Sequence, residues 1–179
     1  RDYPVIINGE KIELEMKFGS INPANKTETV GRFSDADSDE GLTERAIDAA
    51  TEAFKMWRGV SPEARAEYLF KVAAVLRERK HYFSAWMIFE VGKTWGEADG
   101  DTAEAIDFCE FYAREMLRWA GEQPTTPVAG EETHFEYIPL GVGAIIPPWN
   151  FPLAIMCGMT LSAVVTGNTT VLKPSPDAP

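Results

Sequence analysis

The sequence predicts an α/β protein in which an N-terminal hairpin and a run of helices lead into an incomplete parallel sheet. Three observations predict it. Apolar residues recur at spacings of three and four through the first two-thirds of the chain, as on amphipathic helices. From Ile138 to Leu172 no residue is charged, and this stretch divides into a β-branched run, a helix-length run and a second β-rich run, as in a parallel βαβ unit. Asn8-Gly9 stands between two short strand-like runs, the signal of a two-residue hairpin.

Each element follows in order. Residues 3–7 and 11–14 flank Asn8-Gly9 and predict a type I′ hairpin. Residues 20–25 form a turn cluster, and residues 29–33 a short strand. A helix starts near Ser38 or Asp39, with Ile47, Ala50, Phe54 and Trp57 on one face. Ser61-Pro62-Glu63 starts the next helix with an N-cap, a proline at the first helical position and an acid at the positive end of the dipole. That helix runs to about Lys80, and another covers roughly residues 81–91. After Gly92 a long helix runs from about Trp95 to Ala120, with Ile106, Cys109, Ala113, Met116 and Ala120 on one stripe. Pro124, Pro127 and Gly130 mark a loop, and residues 133–138 alternate like an exposed strand. Residues 142–146, 151–165 and 169–172 then read as strand, buried helix and strand, covered on both faces. The implied organisation is a hairpin region (1–35), a helical part (36–122), a loop with an exposed strand (123–139) and the start of a parallel α/β unit (140–179).

Composition bounds the function. The net charge of −11 argues against a nucleic-acid or anionic-membrane surface. A 45% hydrophobic and 25% charged chain is globular, and at this length it buries roughly 70% of its unfolded surface. Pro139, Pro147, Pro148 and Pro152 interrupt the uncharged stretch, so it does not read as a membrane span. Cys109 and Cys157 lie far apart without metal-ligand spacing, which excludes a zinc site or disulfide scaffold and fits a reducing cytoplasm. The first residues carry no basic-then-apolar run and so give no sign of secretion, and a first residue of Arg1 reads as other than a native start. One βα pair and a following strand do not close a sheet, so the chain reads as cut at both ends.

Several motifs carry no chemistry. There is no GxGxxG and no Walker motif. His81 and His134 are isolated and read as surface residues. Glu97, Asp101, Glu104, Asp107 and Glu110 read as a solvated acidic face. Cys109 and Cys157 fall on apolar surfaces and read as structural thiols. The informative segment is Pro147-Pro148-Trp149-Asn150-Phe151-Pro152, at a strand-to-helix junction. Ligands of open α/β sheets bind outside the carboxyl ends of the strands, and the Asn150 amide offers a donor to a developing oxyanion there. Lys173 ends the next strand and puts a cation on the same rim. By spacing alone, a capping Asn and a surface Lys fit equally well.

Pro-Trp-Asn-Phe-Pro, followed by Gly167-Asn168-Thr169-Thr170-Val171-Leu172-Lys173-Pro174-Ser175, resembles the aldehyde dehydrogenase superfamily. Ile7-Asn8-Gly9-Glu10 and Ile21-Asn22-Pro23-Ala24 resemble its N-terminal hairpin and loop. Glu90-Val91-Gly92-Lys93 and the segment from Glu97 to Phe108 resemble its 1-pyrroline-5-carboxylate dehydrogenase branch. The resemblance implies a Rossmann-like cofactor unit, an oligomerisation strand and NAD-dependent oxidation of glutamate γ-semialdehyde to glutamate in proline degradation. By the same resemblance Asn150 is the oxyanion-stabilising residue. Ile146, Pro147, Pro148, Trp149 and Asn150 wall the nicotinamide side, and Lys173 and Ser175 contact the adenosine ribose. Phe151 packs on the aldehyde's aliphatic chain, and Glu104 is the one acid of the long helix that turns inward, to the substrate entrance. Many relatives carry Glu where this chain has Pro176, so NADP is expected to be tolerated beside NAD. The implied partners are a small aldehyde and further copies of the complete protein, with no metal, nucleic acid or membrane. The family's nucleophilic Cys, pyrophosphate turn and general base match nothing in these residues, so the isolated chain is expected to be inactive. An aldehyde dehydrogenase of broader range and a non-catalytic truncated product stay open as alternatives.

Overall fold

The computed structural model describes residues 1–179. The N-terminal region forms two small sheets. β2 (Val5–Ile7) and β3 (Glu10–Ile12) pair antiparallel around Asn8-Gly9. Both turn residues have positive φ, 50° and 78°, which a type I′ turn requires and which Asn and Gly tolerate best. β1 (Asp2–Tyr3), β4 (Lys17–Ile21) and β5 (Thr29–Ser34) form the second sheet in the order β1-β5-β4. The sequence reading found β5 but not β4. β4 is half apolar and broken by Gly19, so pairing with β5, and not its own pattern, makes it a strand.

Four helices follow: α1 (Leu42–Trp57), α2 (Pro62–Glu78), α3 (Lys80–Val91) and α4 (Trp95–Ala120). α1 starts later than expected, because Asp35 caps a short 3-10 turn over Ala36–Ser38 first. Ser61 caps α2 as the sequence predicts, its hydroxyl accepting from the Ala64 N–H at 3.2 Å. Thr94 and Glu97 form a reciprocal capping box at the start of α4. The predicted stripe of α4 is buried at Ile106, Cys109, Ala113 and Met116, while Ala120, the last residue of the helix, is exposed.

β6 (Val142–Ile145), α5 (Ala154–Val165) and β7 (Thr169–Leu172) complete the fold. β6 and β7 are parallel, with Val142 opposite Thr169 and Ile145 opposite Leu172. The core lies between α2, α4 and α5. One cluster joins Ala73 and Leu76 to Ala105, Ile106, Cys109, Ala154 and Cys157; a second joins Ala66 and Leu69 to Ala113, Met116 and Val165. Alanines and Gly158 let α4 and α5 approach closely: a β-carbon on Gly158 would sit 3.0 Å from the Phe108 ring. No helix is long and apolar enough to cross a membrane.

Two expectations are corrected. The uncharged unit is not covered on both faces: Val142, Ala144 and Ile146, alternate residues on one face of β6, are exposed, and only Ile145 is buried. Two strands cannot bury each other's outer face without further strands or helices. Residues 133–138 form no strand, because a strand exists only where it pairs and nothing in this chain pairs with them. Their alternation instead places Phe135 and Tyr137 in edge-to-face contact, with Trp119 against Tyr137.

Candidate active site

The site is built at the carboxyl ends of β6 and β7. The Lys173 N–H donates to the Ile145 carbonyl at 2.9 Å, so the two strands end on one rim. Beyond β6 the chain passes through Ile146–Pro152 before α5 begins. Pro147 is buried and anchors the turn, whereas Pro148, Trp149, Asn150 and Phe151 are exposed. The prolines fix φ and remove donors, so this segment cannot continue either the strand or the helix.

Asn150 and Phe151 line a cleft of about 460 Å³ with Gly92, Lys93, Glu97 and Asp101. The Asn150 amide has no hydrogen-bond partner in the chain and faces solvent. It is therefore free to donate to a ligand in the cleft.

Asp101 organises the cleft's floor. Its side chain is fully buried, and the Lys93 side chain is only 11% exposed. Lys93 Nζ donates to Asp101 Oδ2 at 2.6 Å, and the Ala154 N–H donates to Asp101 Oδ1 at 2.7 Å. The same ammonium lies 4.0 Å from the centroid of the Phe151 ring, a cation–π contact. Gly92, with φ of 71°, ends α3 in the left-handed region and turns Lys93 toward α4.

A second groove, of about 220 Å³, brings Pro147, Pro148 and Ser175 together against α3. Its wall includes Glu90, whose carboxyl is pushed up to about 7 by burial. Lys173 is exposed beside this groove and makes no ion pair. Ile146 and Trp149 are exposed on the rim, 63% and 52%. The structure thus places Asn150 and Phe151 in one hollow and Pro147, Pro148 and Ser175 in another, and leaves Ile146, Trp149 and Lys173 outside both.

Glu104 joins neither. It is exposed, which corrects the expectation that it is the acid turned inward; Asp101 takes that place. The buried stripe of α4 passes through Ala105 and Cys109. Asp101 lies about 40° from Ala105 around the axis, and Glu104 about 100°. The reading of one solvated acidic face is corrected as well. Glu97 caps the helix, its carboxyl held below the usual range by hydrogen bonds from Thr94. Glu110 is lowered by Arg114 and Arg77. Glu97, Glu104 and Asp107 are exposed as expected, whereas Asp101 is buried and Glu110 half-buried. Sequence reasoning missed Asp101 and Lys93 as site residues. The available signal was position: Asp101 is three residues after buried Ala98 and four before buried Ala105.

Neither cysteine belongs to the site. Cys109 and Cys157 are buried in the core, and burial pushes their thiols up to about 11 and about 12. A nucleophilic thiol needs the opposite shift. No cluster of His, Cys, Asp or Glu could hold a metal ion.

The sequence profile of the Aldehyde dehydrogenase family matches residues 11–179, and the chain belongs to that family. It is 56% identical to the 1-pyrroline-5-carboxylate dehydrogenase of Geobacillus kaustophilus over all 179 residues, and 54% identical to 1-pyrroline-5-carboxylate dehydrogenase 2 of Bacillus subtilis. The chain spans 34% of the length of each. The crystal structure of 1-pyrroline-5-carboxylate dehydrogenase from Thermus with bound NAD superposes with a TM-score of 0.94 at 43% identity, over 99% of this chain and 34% of that one. Proline utilization A from Bdellovibrio bacteriovorus superposes at 0.96 and 38%, over 99% of this chain and 18% of that one. The fold is therefore aldehyde-dehydrogenase-like, as the sequence motifs implied.

Proposed function

We propose that the complete protein oxidises L-glutamate γ-semialdehyde to L-glutamate with NAD, and that this chain contributes its oxyanion donor and one wall of its cofactor site. The observation that carries this reading is the unpartnered Asn150 amide, exposed in a cleft at the carboxyl ends of parallel strands. The similarity to 1-pyrroline-5-carboxylate dehydrogenases over the whole chain supports the substrate.

Asn150 Nδ2 donates to the aldehyde oxygen as negative charge develops on it. One preorganised donor of this kind contributes about 2.7–4 kcal/mol to the transition state. Phe151, held from behind by Lys93, offers an apolar face to the aliphatic part of the aldehyde. A thiolate from outside these residues attacks the carbonyl carbon, since burial keeps Cys109 and Cys157 protonated; hydride loss leaves a thioester, and water cleaves its C–S bond to release the acid and return the thiolate. Glu104 is read as a residue of the substrate entrance, reached from solvent.

The rim fits a dinucleotide. Lys173 is an exposed, unpaired cation at the end of β7, suited to ribose hydroxyls. Ile146, Pro148 and Trp149 present an apolar wall, with Pro147 and Ser175 in the groove beside it. A dinucleotide held there would supply the hydride acceptor. We read residues 133–138, exposed and unpaired in this chain, as a segment that becomes a strand by pairing with another copy of the complete protein. Its two free, buried thiols accord with a cytoplasmic protein.

The test is a panel of aldehydes assayed on the complete protein with NAD. Glutamate γ-semialdehyde is expected to give the highest kcat/KM. Preference for an unrelated aldehyde by tenfold or more, roughly 1.4 kcal/mol, overturns the substrate assignment.

A further inference from the structure

We infer that Asp101 and Lys93 are positioning residues that hold the Asn150 turn in its working geometry; the inference rests on the reading of Asn150 as the oxyanion donor.

The turn has almost no polar support of its own. From Ile146 to Leu153 no group hydrogen-bonds outside the turn and the helix it leads into. Asn150 sits four residues before Ala154, the first residue of α5. The first N–H groups of any helix lack intrahelical acceptors. A Ser, Thr, Asp or Asn side chain usually supplies one locally. Here the N-cap is Leu153, which makes no side-chain cap. The acceptor comes instead from α4, across 53 positions of sequence: Asp101 Oδ1, 2.7 Å from the Ala154 nitrogen. Its negative charge lies at the positive end of α5, where the helix dipole favours it.

Lys93 completes the arrangement. Its ammonium meets Asp101 Oδ2 at 2.6 Å and the Phe151 ring at 4.0 Å. One buried carboxylate thereby fixes two residues downstream of the donor: Phe151 through Lys93, and Ala154 directly. A buried ion pair is a poor source of stability, because desolvation offsets its attraction, and an apolar pair of the same shape often serves as well. What it supplies is direction. A misplacement of about 1 Å at a reacting centre can cost about a hundredfold in rate, and nothing else polar sets where Asn150 stands.

A double-mutant cycle in the complete protein tests this, run on whichever aldehyde the wild type oxidises best, so that a wrong substrate assignment leaves the test intact. Asp101→Asn keeps an oxygen for the Ala154 N–H and removes the partner of Lys93. Lys93→Met removes the ammonium, leaves Asp101 bonded to α5, and reads the same effect if Asp101→Asn does not fold. Each is expected to lower kcat by about ten- to a hundredfold. In an Asn150→Ala background, each is expected to lower kcat further by less than about twofold, because the loss runs through Asn150. A merely structural role predicts equal losses in both backgrounds, and that result overturns the inference. So does unchanged kcat in both single variants. A wild-type protein that oxidises none of the aldehydes overturns the function reading and this inference with it.

Discussion

Arg65 Nε donates to the carbonyl of Val165 at 2.7 Å, joining α2 to the last residue of α5. Arg65 also donates to the Val60 carbonyl, is only 5% exposed, and pairs with no carboxylate. Trp57 Nε1 donates to the next carbonyl of α5, that of Val164, at 2.9 Å. Cations and donors are favoured at the negative end of a helix. The helix that follows the Asn150 turn is therefore gripped at both ends, by donors at its C-terminus and by Asp101 at its N-terminus.

Replacing Arg65 with Met keeps most of the volume and leaves the Val60 and Val165 carbonyls without their donor. The expected loss is about 2–3 kcal/mol, read as a shift in the urea midpoint. Arg65→Lys recovers only part of it, because one ammonium lacks the fork that serves two carbonyls.

Asn150→Ala in the complete protein is expected to lower kcat by about 10²–10³-fold. The KM for NAD should change little, since the amide is assigned to the aldehyde oxygen. Steady-state kinetics in both substrates checks this; a kcat within about threefold of wild type removes Asn150 from the reaction.

Glu90 makes stability depend on pH. Burial raises its carboxyl from the ordinary 4.5 to about 7, so the folded chain holds this proton more tightly than the unfolded chain. The resulting stabilisation is fully present below about pH 4.5 and is lost as pH rises through about 7. Glu90→Gln carries no charge to bury. It should match wild type at pH 5 and exceed it at pH 8, by urea unfolding at the two values. An equal difference at both would show that Glu90 is not the titrating group.

Gly92→Ala places a side chain at φ of 71°, with its β-carbon 2.9 Å from Pro23 Cγ. The left-handed conformation alone costs about 1–2 kcal/mol for a residue other than Gly. A loss of at least this size is expected in thermal or urea unfolding.

Pro176→Glu tests cofactor choice. Pro176 is exposed just beyond Lys173 and Ser175, and a carboxylate there would repel a 2′-phosphate while accepting from ribose hydroxyls. The ratio of kcat/KM for NADP to that for NAD should fall in the variant. A wild-type protein that already rejects NADP as strongly contradicts the assignment.

The features legible in sequence are those set by neighbours along the chain. Asn8-Gly9 specified its turn because few residues tolerate two positive φ values in succession. Ser61-Pro62-Glu63 specified where α2 starts, and the 3- and 4-residue spacing of α4 specified which side it buries. The Pro-Trp-Asn-Phe-Pro segment marked the candidate site because prolines on both sides exclude regular structure.

Tertiary structure decided the rest. β4 is a strand only because β5 lies beside it, and residues 133–138 are not one because no partner does. On α4 the acids at 97, 101, 104, 107 and 110 look alike in sequence, yet only Asp101 is buried. Helical periodicity placed it near the edge of the apolar stripe, but α5 had to arrive from 53 positions away, and the turn at Gly92 had to fold Lys93 back onto α4, to make its burial favourable. A carboxylate enters a core only where donors and an opposite charge replace water. Those donors, the Ala154 N–H and the Lys93 ammonium, meet at Asp101 only in the folded chain.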